Sequence, residues 1–214
     1  MLEFVEGPLW YIAAAIFIAG SCWRLAGALW LGQRPVNDSP RASPAAGAAR
    51  SIISYSLPGS GLSGNHNVRL LAFLGITFHL ALFGLLLFGP PHVAFIEARI
   101  LGTGWATLPM WVFIVAGEIA FLSLLMLWIR RATDRVTRLI SRRADHIAVG
   151  MTMAVIVTGC AALGENSEAM RVLHMLSVEI WLIYFPFSPL FHAFTWVFSR
   201  AYTGAMFGRR GIWT

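Results

Sequence analysis

The chain contains no lysine: all sixteen basic residues are arginine, set against ten acidic ones. Charge of either sign is scarce, at 12% of 214 residues, where a soluble domain carries about a quarter. That excludes an ordinary water-soluble globular domain. Cysteine is nearly absent as well. Cys22 and Cys160 both lie in apolar runs, so no disulfide framework and no paired-cysteine metal site is expected, and both read as small buried hydrophobes. Internal repeats and paired broken helices are missing too, which weakens a transporter reading. What is present is apolar: 57% of residues are hydrophobic and the mean hydropathy is +0.69. The chain reads as an integral membrane protein.

Five apolar stretches predict membrane-crossing helices at about 8–31, 68–89, 109–129, 147–163 and 171–198. The expected fold class is therefore an all-α integral membrane protein, one five-helix bundle forming a single domain. The first stretch is too long for a signal-peptide core and shows no small-residue cleavage site, so it is kept as a span. Residues 32–67 are rich in Pro, Gly, Ala and Ser and carry Arg34, Arg41 and Arg50; they read as a long loop, mobile or in contact with a partner. Gly89-Pro90-Pro91 ends the second span. The connector that follows, with Glu97 and Arg99, is expected to lie along the membrane interface.

Arginine sets the expected orientation. The first loop, the third loop and the C-terminal tail are arginine-rich, whereas the N-terminus carries Glu3 and Glu6. The positive-inside rule then puts the N-terminus outside and the C-terminus in the cytoplasm, and the expected membrane is a bacterial or archaeal inner membrane. The pI near 10.3 is read as this topology and not as nucleic-acid binding. Most tryptophans fall near predicted span ends, where interfacial belts favour them. Glu118, inside the third span, is open to two readings, a proton-handling group or a polar contact with another helix.

Ionisable residues inside a membrane usually mark a functional path. His174 and His192 lie in the fifth stretch, 18 residues apart, which on an ideal helix puts both on one face about 27 Å apart. That is near the ~30 Å of a hydrocarbon core, so one helix would present a nitrogen ligand near each membrane face. The spacing suits axial ligation of two stacked haems. It equally suits two interfacial histidines that bond neighbouring helices.

The order of motifs resembles the gamma subunit of respiratory nitrate reductase and its relatives, which are five-helix di-haem cytochrome b subunits. The likeness runs through YIAAAIFIAGSCWRL in the first span, FHLALFGLLLFGPPH in the second and ADHIAVGMTMAVIVTGCAALG in the fourth. In the fifth, FPFS stands between His174 and His192. The resemblance implies that His79, His174 and His192 are haem ligands, with His79 and His192 holding an inner haem b and His174 one side of an outer haem b. It departs at one place: the second ligand of helix two should come ten residues after His79, and that residue is Gly89. Three readings stay open. His92 serves instead because the prolines redirect the helix, although thirteen residues of ideal helix would turn it about 140° away. Another ligand, or a shifted alignment through His66, serves. Or the outer haem is absent. His146 is expected to be interfacial and not a ligand.

The resemblance further implies the partners. Quinone or quinol would react beside the outer haem, and an iron–sulfur subunit joined to a catalytic subunit would dock at the cytoplasmic end. Arg24, Arg69 and Arg200 sit at depths suited to the inner haem's propionates, or simply snorkel. Glu97, Arg99 and His92 are candidates beside a quinone. The alternative is a non-redox anchor or assembly subunit that has lost haem.

Overall fold

The computed structural model describes residues 1–30, 39–56, 66–164 and 167–212. Among them every regular element is helical. We number the helices α1 (Leu2–Trp30), α2 (Pro44–Ser56), α3 (His66–Phe88), α4 (Pro90–Ile96), α5 (Met110–Thr133), α6 (Arg135–Ile140), α7 (Arg143–Gly164), α8 (Glu168–Tyr184) and α9 (His192–Arg209). Five segments, on α1, α3, α5, α7 and α8, are long and apolar enough to cross a membrane. They carry large apolar side chains outward, Leu80 and Trp111 being 69% and 70% exposed. Lipid, not water, solvates such a surface, and the chain has the character of a multi-pass membrane protein.

The residues form two compact units, Met1–Trp10 with Leu70–Trp181 and Tyr11–Arg69 with Leu182–Thr214. In the first, Phe78 and Leu85 of α3, Phe113, Ala120 and Leu124 of α5, and Ile156 of α7 make the core. Gly117, Ala120 and Ser123 leave α5 with a narrow buried edge, so α7 approaches closely; a Cβ on Gly117 would lie 3.3 Å from Cys160 Sγ. Two polar clasps inside the spans satisfy groups that hydrocarbon cannot. Trp181 Nε1 donates to Thr152 Oγ1 over 3.0 Å, and Thr152 in turn donates to the Ala148 carbonyl over 2.9 Å.

The end of α3 shows what two consecutive prolines do. Neither has an N–H, so the carbonyls of Leu86 and Leu87 lose their helical donors. Gly89 takes an extended ψ of 128°, and α4 restarts with Val93 donating to the Gly89 carbonyl. Trp105 Nε1 donates to the Leu87 carbonyl over 2.6 Å, and Leu108 N–H to that of Phe88 over 2.8 Å. The connector thus folds back onto the break. Beyond α4 the helix widens to a π turn, Glu97–Leu101, closed by Gly102 in the left-handed region at φ 70°.

In the second unit two expectations are corrected. The fifth stretch is not one continuous α-helix. It ends at Tyr184, passes through two 3₁₀ turns around an extended Ser188, and restarts at His192. Pro186 and Pro189 remove the donors a continuous helix needs. The ideal-helix geometry for His174 and His192, one face and about 27 Å, therefore does not apply. Nor is the stretch between the first two spans all loop. Residues 44–56 form α2, packed along α9 through glycine: a Cβ on Gly47 would lie 2.9 Å from Gly208 Cα and closer still to the Gly204 carbonyl. The flanking residues 31–38 and 57–65, Arg34 included, lie outside the described residues. The cysteines correct a third expectation. Cys22 and Cys160 are free and exposed, not buried.

Candidate functional site

The Pro-Pro break carries His92 to His174. The two imidazoles, from α4 and α8, have ring centres 6.4 Å apart and planes within 30° of parallel. Each ring is held from behind. His92 Nδ1 donates to the Leu85 carbonyl over 2.6 Å, and its ring meets Phe113 edge-on at 5.7 Å. The seat exists because residue 89 is glycine. A Cβ there would lie 2.5 Å from the Leu85 oxygen and closer to the Phe113 ring. The position where the sequence pattern wants a histidine has no room for any side chain.

His174 is fixed from α7. Thr158 Oγ1 donates to the Ala154 carbonyl at 2.8 Å, which leaves its lone pairs to accept from His174 Nδ1 at 3.2 Å. Ser177 donates to the His174 carbonyl at 2.7 Å and lies 2.9 Å from Thr158 Oγ1. Gly159 supplies the floor: a Cβ on it would lie 3.0 Å from His174 Cε1 and 3.5 Å from Nε2.

Proton counting gives the two rings the same tautomer. A carbonyl oxygen can only accept, so His92 Nδ1 carries its hydrogen, and the Thr158 arrangement gives the same result for His174. In that tautomer each Nε2 carries the lone pair. His79 and His192 follow suit through Nδ1, to the Gly75 carbonyl at 2.7 Å and the Pro189 carbonyl at 2.9 Å. His146 is the opposite. It accepts at Nδ1 from Trp128 Nε1 over 3.0 Å, so its hydrogen is on Nε2. A metal-ligating histidine donates one ring nitrogen to an oxygen and offers the other to the metal. The His92 and His174 imidazoles engage an oxygen through Nδ1 in that way, and His146 does not.

Two near-parallel imidazoles with ring centres 6.4 Å apart, each held through Nδ1, are a donor set that fits a haem iron.

The remaining candidates are placed as follows. His79 belongs to the first unit and His192 to the second, each half-buried or exposed on its own helix. Arg24 Nη1 donates to the carbonyls of Pro186 at 2.6 Å and Ser188 at 3.2 Å, and the guanidinium lies 4.4 Å over the Phe191 ring. It staples the helix break. Arg69 is exposed near the start of α3 and Arg200 half-buried on α9. Glu97 packs its carboxylate over Gly104, Arg99 pairs with Glu6, and Glu118 is exposed on α5. His66 opens α3, and its side chain lies outside the described residues. Gly159, Thr158 and Phe113 were not singled out from sequence, since a glycine or threonine in an apolar run carries no signal until its neighbour is known.

Comparison with known proteins adds one distant relative. The chain is 26% identical over 214 residues to a protein of Nitratidesulfovibrio vulgaris (strain Hildenborough), the alignment covering 95% of this chain and 92% of that one. No protein-family profile and no solved structure matches it.

Proposed function

We propose that the protein is a haem b-binding membrane subunit that passes electrons between the quinone pool and an iron–sulfur partner on the cytoplasmic side of the inner membrane. One observation carries the reading: the His92 and His174 imidazoles lie near-parallel with ring centres 6.4 Å apart, each engaged through Nδ1. Bound there, haem would supply one-electron transfer, because an iron with two protein ligands leaves no position for oxygen or substrate. The chain's own part is to hold two imidazoles near-parallel and to keep them as Nδ1–H tautomers. The resemblance assigns His79 and His192 to a second haem, and that assignment rests on the sequence pattern alone. The arginine-rich loops support the orientation with the N-terminus outside. Terminal chemistry then belongs to a separate catalytic subunit.

A pyridine haemochrome assay on the purified protein tests this, with His92→Ala beside it. Unaltered protein should bind b-type haem and be coloured. His92→Ala should lose one haem per chain. Colourless, well-folded protein would leave the anchor reading in its place.

A further inference from the structure

The N-terminal residues preceding Tyr11 join the unit that holds the histidine pair, and they are tied to both of its supports. Glu6 sits in a π turn, Val5–Leu9, where Pro8 withholds a helical donor. It is only 8% exposed. One carboxylate oxygen lies 2.5 Å from Arg171 Nε and the other 3.9 Å from Arg99 Nη2. Arg171 precedes His174 by three residues on α8, so the two share a helix face one turn apart. Arg99 follows His92 by seven residues along α4 and its π extension. A second tie runs parallel to the first: Trp10 meets Phe95, three residues beyond His92, edge-on at 5.0 Å.

A buried carboxylate is costly unless paired, and removing its charge releases both arginines at once. We infer that Glu6 is a positioning residue: by bridging Arg99 and Arg171 it sets the separation and mutual angle of His92 and His174. This rests on the haem reading above. Glu6 touches neither imidazole, and its effect passes through the two arginines.

The test is Glu6→Gln, which keeps the shape and removes the charge. Haem affinity at the His92–His174 site should fall at least about tenfold, the lower end of what outer-shell partners of metal ligands contribute. The ferric electron paramagnetic resonance signal should lose the rhombic shape that near-parallel imidazoles give. Glu6→Asp, with charge retained on a shorter stem, should recover part of both. Glu6→Gln made in an Arg171→Gln background should add little, because the two share one contact. An unchanged signal and affinity in Glu6→Gln, or effects of Glu6 and Arg171 that add in full, would overturn the inference while leaving the haem reading standing. Complete unfolding of Glu6→Gln, read by loss of helical circular dichroism, would also overturn it, since the role would then be stability. Unaltered protein without a haem that depends on His92 and His174 would end both.

Discussion

Gly159 offers the sharpest perturbation of the proposed haem site. Adding one methyl group there, Gly159→Ala, puts a Cβ 3.0 Å from His174 Cε1. Carbon atoms rest at about 3.5 Å or more, so the imidazole must retreat by roughly 0.5 Å. Metal–ligand bonds tolerate about 0.2 Å, so the retreat exceeds what the ligation can absorb. The ring has little freedom to give way sideways, since its Nδ1 is held by Thr158. The helix itself should gain, because alanine in a helix interior is favoured over glycine by about 0.5–1 kcal/mol. Loss of haem with intact or improved folding is therefore the expected outcome. The assay is haem per polypeptide by pyridine haemochrome, with the melting temperature measured on the same sample. Gly150→Ala is the control: it lies on the same helix, and nothing stands within 4 Å of its added Cβ. Haem content and spectrum unchanged in Gly159→Ala would refute the placement of His174 as a ligand.

Two further predictions concern the frame. Arg24→Met removes the donor to the Pro186 and Ser188 carbonyls, and two partly exposed charge-assisted bonds imply a loss of about 2 kcal/mol, read as a lower melting temperature in detergent. Asp134 caps α6 by accepting the Thr137 N–H at 2.9 Å, and that bond holds its carboxyl below the ordinary value of 3.8. The folded-state value being the lower one, the cap is in place above 3.8 and is lost as pH falls through the folded value. The protection of the Thr137 amide relative to its intrinsic exchange rate should fall on acidification, and Asp134→Ala should remove that dependence.

The sequence alone determined the solvent. Low charge and five long apolar runs call for helices in lipid, and five helices are long and apolar enough to cross a membrane. It also showed where the second span ends, because Pro90 and Pro91 withhold backbone donors. Which residues meet was a different matter. Ideal helical geometry turns His92 away from the face of His79, and only the ψ of Gly89 and the seat made by Leu85 and Phe113 bring its ring to His174. The fifth span misled for the converse reason. Its apolar pattern continues through 185–191, but hydropathy does not register the donors that two prolines remove. Helix α2 escaped notice because alanine and glycine show no apolar period, and their small size matters only once Gly204 and Gly208 lie opposite. Glu6 reads in sequence as one outward charge near the start of a span. Its burial against Arg99 and Arg171, from segments about 90 and 165 residues away, belongs to tertiary packing, because pairing across such distances follows from the path of the backbone and not from local pattern.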